Sequence, residues 1–313
     1  EIGVRLVGSE MCIRDSLTVD SLKLSGKISV KTYNNDGKSY VNEDLSTGGI
    51  VGGVQGQCKF SGITLNDLEV SGAYTVGGLI GKSTNNINIS GVKSENSGIY
   101  VYGGFETGGL VGNSQKGSEF NVKDSKITIN KVEFANLDKG TGTWFGVGGI
   151  AGSANIKTTI SNVQLTPYNT DSFIGSKKDN KPLATLTMNE GGLIGLSNEV
   201  CTIENTSVSV DVYGSNAGGF VGINKKQLSV NENCYYGGTS DTSACGVYGY
   251  ASSGGMVGTQ NAAVTVSKSA VKNATIGIPA AKNGDAGIGG YVGIKANGDL
   301  KTVSYTHLTL PTT

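Results

Sequence analysis

A five-residue phrase, two glycines followed by two apolar residues and a third glycine, recurs eight times and leaves few folds open to this chain. It begins at Gly48, Gly77, Gly108, Gly148, Gly191, Gly218, Gly254 and Gly289, at intervals of 27 to 43 residues. Repetition on this scale points to a solenoid, in which each unit buries its apolar face against its neighbours. Glycine admits positive φ and lets another backbone come close. The second apolar position is mostly β-branched (Val51, Ile80, Val111, Ile194, Val221, Val257 and Val292), which suits a pleated, half-buried surface. The phrase therefore reads as a two-residue strand with a glycine corner on either side.

A second row keeps the same period. Six and eight positions beyond the last glycine of each phrase stand Cys58/Phe60, Ile87/Ile89, Ser118/Phe120, Thr158/Ile160, Cys201/Ile203, Leu228/Val230 and Val264/Val266. Residues two apart share one face of a strand. The residue between them is polar throughout: Lys59, Asn88, Glu119, Thr159, Thr202, Ser229 and Thr265. A turn-like stretch such as Ser61-Gly62, Ser90-Gly91 or Ser161-Asn162 follows, then another apolar residue. Three short strands per repeat, coiled so that like strands stack, predict an all-β fold: a right-handed parallel β-helix (solenoid) of about eight rungs. It would span on the order of 35–40 Å at the ~4.8 Å strand spacing. The first apolar residue of each phrase (Ile50, Leu79, Leu110, Ile150, Leu193, Phe220, Met256 and Tyr291) is expected to point inward.

The phrase, with its Asn- and Ser-rich connectors, resembles the GLUG motif family over residues 46–293. Such repeats occur in large bacterial surface and secreted proteins, including adhesin-like proteins and regions of some immunoglobulin-A proteases. The resemblance implies a solenoid-like β fold, an extracellular or cell-surface location and a role in cell adhesion. It carries no catalytic residue over to these positions.

The two ends differ from the rest. Residues 1–16 (EIGVRLVGSEMCIRDS) and 303–313 (VSYTHLTLPTT) resemble translated sequencing-adapter read-through. Both arginines, Arg5 and Arg14, lie in the first stretch, and the one histidine, His307, lies in the last. Such material is set aside in reading a fold, which leaves residues 17–302 as the repeat array. Leu310-Pro311-Thr312-Thr313 resembles a truncated sortase signal, but it lacks the glycine, apolar segment and basic tail that would follow.

Between those ends the absence of histidine removes Ser-His and Cys-His catalysis and most zinc hydrolysis. The aspartates are scattered, and a pair of carboxylates could meet only across rungs. The calcium-binding nonapeptide of β-rolls is absent, and Asn35-Asp36-Gly37 and Asn283-Gly284-Asp285 read as turns. No enzyme activity, metal or cofactor is expected. Charge is balanced, 25 basic against 25 acidic residues, without the basic stripe of a nucleic-acid binder. No run is apolar enough to span a membrane. Cys58 and Cys201 hold the same inward phase four rungs apart, roughly 19 Å, too far for a disulfide. They read as buried thiols, whereas Cys234 and Cys245 leave a loop-closing disulfide open.

Longer repeats imply loops at about 135–146, 167–187, 235–252 and 277–287, and solenoid insertions often carry function. Trp144, Phe145, Tyr235, Tyr236, Tyr248 and Tyr250 fall there, as candidates to stack on sugar rings or anchor a protein. Tyr102, Tyr213 and Tyr248 precede a glycine pair by five or six residues, so a structural role stays open for them. The expectation is a non-catalytic structural or adhesive segment of a bacterial surface or secreted protein. Its partners would be host or cell-surface glycans or proteins, with self-association through the open solenoid ends. The alternative is a carbohydrate-binding module or a carbohydrate-active β-helix enzyme.

Overall fold

The computed structural model describes residues 12–13, 16–29, 45–134, 145–182, 188–238, 245–277 and 286–303. These residues form strands, turns and bends, with no helix. Each phrase pairs in parallel with the next. The strands Cys12–Ile13, Val51–Val54, Ile80–Ser83, Val111–Ser114, Ala151–Ala154, Ile194–Ser197, Val221–Asn224, Val257–Gln260 and Val292–Lys295 make one nine-stranded parallel sheet. A 26-stranded sheet takes in the other strands, except one two-stranded hairpin. Like pairing with like, repeat after repeat, is the ladder of a parallel β-solenoid.

The phrase itself differs from expectation. It is not a strand between two corners but a corner between two strands. Its first glycine ends a three-residue strand such as Thr75–Gly77, and its second apolar residue opens the next, such as Ile80–Ser83. The second glycine and the first apolar residue form the bend. There the carbonyl of Leu110 accepts from the amides of both Leu79 and Ile80, at 2.9 and 3.0 Å. The carbonyls of Leu79, Ile150, Leu193, Phe220, Met256 and Tyr291 do the same for their own neighbouring rung. In these seven phrases the bend therefore pairs the amides of both apolar residues, as a buried backbone requires.

The glycines serve close approach, since no phrase glycine has a positive φ. A Cβ on Gly78 would stand 2.1 Å from the Gly109 carbonyl oxygen, and on Gly109 2.0 Å from that of Gly149. Gly149, Gly192, Gly219 and Gly255 meet the next rung in the same way. Gly290, in the last phrase, has nothing within 4 Å among the described residues.

Leu79, Leu110, Ile150, Leu193, Phe220 and Met256 are fully buried, as expected; Ile50 and Tyr291, in the outermost phrases, are half-buried. Burying each such side chain stabilises by about 1.5–3 kcal/mol. The alternating row runs in exact register through Leu17, Cys58, Ile87, Phe120, Thr158, Cys201, Leu228, Val264 and Leu300. The third repeat is a correction. Phe120 pairs with Ile87 and Val122 with Ile89, so Phe120/Val122 replace Ser118/Phe120 as the inward pair. A longer turn there, with Gly117 at φ +118°, absorbs the two extra residues.

After the alternating row comes a corner whose residue is left-handed in eight rungs: Ser21, Gly62, Gly91, Asp124, Asn162, Asn205, Glu232 and Lys268, with φ between 46° and 63°. Gly, Asn and Asp accept this conformation most readily, and they fill five of the eight places. The third row then runs through an inward column of Val70, Val101, Val132, Ile174, Val212 and Val247, all fully buried. Polar ladders line the rungs elsewhere. Asn121 donates to Asn88 at 3.0 Å and Asn155 to Asn113 at 2.8 Å, while Asn198 donates to Asn155.

Candidate functional site

The residues that flank the third-row valines alternate away from the interior and form two columns along the axis, in which Phe173 and Tyr213 are themselves buried. One runs Lys27, Glu69, Tyr100, Lys131, Phe173, Asp211. The other runs Ser29, Ser71, Tyr102, Glu133, Gly175, Tyr213, Tyr248, Gly277. Rings and charges therefore sit on neighbouring rungs of one face. The Tyr100 hydroxyl donates to Glu133 at 3.4 Å, and burial pushes that hydroxyl up to about 12. Phe173 meets Tyr213 edge-on at 6.1 Å, and Tyr213 stacks on Tyr248 with centroids 4.8 Å apart. Stacked tyrosines are favoured when like residues occupy the same column, because the rung spacing matches a comfortable ring separation.

Over this face folds an insertion present in one repeat. Residues 168–172 make a turn in which the Ser172 hydroxyl accepts from the amides of Tyr168 and Asn169. Then Lys177–Lys178 pairs antiparallel with Lys181–Pro182, the only antiparallel pair among the described residues. Asp179 and Asn180 at its tip both have positive φ, 51° and 56°, the geometry of a two-residue hairpin turn whose twist matches its strands. Hairpin, turn and face enclose an open cleft of about 510 Å³ lined by Thr170, Asp171, Lys177, Asp179, Asn180, Lys181, Asp211, Tyr213 and Tyr248.

At its floor the Lys177 ammonium lies 4.6 Å from the Phe173 ring centroid and 4.9 Å from that of Tyr213. Burial holds its pKa below the ordinary lysine value, opposed by the charges of Asp211 and Asp171. Burial also raises the Asp211 carboxyl, opposed by a 2.7 Å hydrogen bond from the Gly246 amide and by Lys177.

The residues singled out from the sequence divide. Trp144 lies outside the described residues. Phe145 is a packing residue: with Tyr74 and Phe105 it forms a ladder of rings, Tyr74 to Phe105 at 4.6 Å and Phe105 to Phe145 at 4.4 Å. Tyr236 is corrected outright. It is fully buried, and its hydroxyl donates to the carbonyls of Val210 at 3.0 Å and Gly246 at 2.8 Å, so no ligand can stack on it. Tyr235 is half-buried beside Tyr236 in a two-residue strand, with the Lys272 ammonium 4.1 Å from its ring. The stretch 235–252 is not one loop, because Tyr235–Tyr236 and Cys245–Gly254 both belong to the ladder. Tyr250 is half-buried within the second of these strands. Among the five of them that are described, only Tyr248 lines the cleft. Sequence reasoning missed Tyr100, Phe173, Lys177 and Asp211. For Tyr100, Phe173 and Asp211 the usable signal was the pair of positions flanking the inward residue of the third row; Lys177 stands in the insertion and carries no such signal.

No family model, no curated protein and no solved structure matches this chain.

The remaining chemistry is interior. Cys58, Cys201, Cys234 and Cys245 are free and buried, so the possible Cys234–Cys245 bridge is not formed. Burial pushes the thiols of Cys58 and Cys245 up to about 11 and of Cys201 to about 12, which keeps them protonated and unreactive. Glu190 is buried in an inward column between Val147 and Ala217. It accepts from the Ser215 amide at 2.9 Å, where the strand register slips between Gly214 and Asn216. A Cβ on Gly214 would collide with its carboxylate, so that glycine makes room for it. Burial raises its pKa well above the ordinary value. Among the described residues no group of three or more His, Cys, Asp or Glu could hold a metal ion, and no helix is long and apolar enough to cross a membrane.

Proposed function

We propose that the chain is a non-catalytic structural and adhesive segment of a bacterial cell-surface or secreted protein, of the GLUG type. In this reading it is a right-handed β-helix of about eight rungs that works outside the cell. The observation that supports it most is the ladder itself. Backbone packs on backbone at every phrase, and outward columns repeat along one axis, so the same fold supplies both stiffness and a long lateral surface. The partners in this reading are glycans or proteins of a cell surface. Self-association is a further property of this reading.

Beads bearing the purified chain test the reading. They are expected to stay on a surface coated with host-cell glycans or glycoproteins, and to release no reducing sugar from it. Sugar release, or retention no better than that of beads bearing serum albumin, overturns it.

A carbohydrate-binding module is a second reading, favoured by the cleft beneath the hairpin. Its ring wall and its mixed acids and lysines are the polar and apolar halves that sugar recognition needs.

A further inference from the structure

We propose that the cleft between the Lys177–Pro182 hairpin and the Tyr213–Tyr248 stack binds a neutral, hydroxyl-rich sugar unit of a glycan chain. This rests on the adhesive reading above and names the place where a glycan would be held.

The argument begins with Lys177. Its ammonium is half-buried over two aromatic rings, with charge interactions but no hydrogen-bonded acceptor among the described residues. An ammonium carries three N–H donors, and a half-buried donor gains from an acceptor that it lacks here. Across the cleft stand acceptors. Asp211 uses its carboxylate on the Gly246 amide and, weakly at 3.4 Å, on the Tyr213 hydroxyl. Asp171 and Asp179 lie at the rim with Asn180 and Thr170.

A group placed between must accept from the lysine and donate to a carboxylate. A hydroxyl does both with one atom, and adjacent sugar hydroxyls do so as a pair. A ring hydrogen face also fits against Tyr248, which contributes apolar surface to the cleft wall.

Charge and shape narrow the ligand. Three aspartates and two lysines line the cleft, so a strongly anionic or cationic polymer meets repulsion from one set. The cleft is open, not enclosed, so an extended chain can pass across its mouth while one unit enters it. A free zwitterionic amino acid would satisfy the same donor and acceptor, but it would leave that open mouth unused.

The test is a titration of the full chain with defined neutral hexasaccharides of glucose, mannose and N-acetylglucosamine, with glycine and alanine as zwitterionic probes. Two variants accompany it. Lys177→Met keeps the aliphatic stem over Phe173 and Tyr213, and Asp171→Asn alters an exposed rim group; thermal midpoints establish that both fold. Binding of at least one hexasaccharide is expected, weakened about tenfold or more by each variant, as loss of a charged hydrogen bond requires. Saccharide binding unchanged in Lys177→Met overturns the site but leaves the adhesive reading intact. So does retention of wild-type beads on protein surfaces with no saccharide bound. Amino-acid binding that no saccharide displaces also overturns it. Failure of both the beads and the titration removes the adhesive reading as well.

Discussion

Replacing Gly78 by alanine should damage the fold severely, while the same change at Gly290 should pass almost unnoticed. The added Cβ at Gly78 would stand 2.1 Å from the Gly109 carbonyl oxygen. Both partners are backbone, so no side chain can swing aside. Relief requires the rungs to part by roughly 1 Å, a large fraction of the ~4.8 Å strand spacing. Parting them strains the bonds from Gly78 to Gly108 and from Leu79 and Ile80 to Leu110, now 3.3, 2.9 and 3.0 Å. At about 1 kcal/mol for each bond, added to the overpacking itself, the loss is about 3 kcal/mol or more. Gly290 holds the same place in its phrase but meets nothing within 4 Å, so alanine there should change stability by no more than about 0.5 kcal/mol. Urea unfolding followed by circular dichroism, with the slope checked for constancy, measures both. Equal losses at the two positions would refute the reasoning, because the glycines would then be required for their backbone conformation and not for the contact between rungs.

Further outcomes follow from the same structure. Glu190 has a folded pKa raised above its unfolded value, so the native state holds a proton that the unfolded chain releases; stability is full below the ordinary glutamate range and falls as pH rises. The urea midpoint should therefore decline as pH rises above the ordinary glutamate range, and Glu190→Gln should flatten the decline; an unchanged slope would show that Glu190 is not the group responsible. The left-handed corner predicts opposite signs for two changes: Gly91→Ala should cost about 1 kcal/mol and Glu232→Gly should gain up to about as much, read by thermal melting, with a stabilised Gly91→Ala counting against the corner. In a Cys12→Ser background, a thiol reagent such as DTNB should label none of Cys58, Cys201, Cys234 and Cys245 until urea is added, and prompt labelling of Cys201 would contradict its place in the core.

The parts legible in the sequence were those that every repeat must obey. The inward column from Leu79 to Met256 and the alternation around Asn88 and Thr202 recur because each rung repeats the same burial. The Gly62, Gly91 and Asn162 turns were readable for the same reason, since a left-handed corner restricts residue choice locally. The bend inside the phrase was not readable. A glycine needed for approach to a neighbouring rung looks the same in sequence as one needed for a turn, and the contact that distinguishes them joins residues about thirty positions apart. The third repeat was misregistered by two because its longer turn at Gly117 shifted a fixed count. Tyr236 and Phe145 were mistaken for loop residues because the extra length in their repeats lies beside them, while they themselves remain in the ladder. The cleft combines Lys177 from an insertion with Asp211 and Tyr248 from the two following repeats, and no local pattern records that meeting.

Pulsed electron spin resonance tests the rung-by-rung stacking most directly. Nitroxides are placed on outward positions of the alternating row, Lys59 paired in turn with Thr202, Ser229 and Thr265. These lie four, five and six rungs from Lys59 in the ladder. At ~4.8 Å per rung the distances should rise evenly, near 19, 24 and 29 Å. Equal steps, despite unequal sequence separations, are what parallel stacking in register predicts. Distances that fail to increase along the series, or that scale with sequence separation, would contradict it.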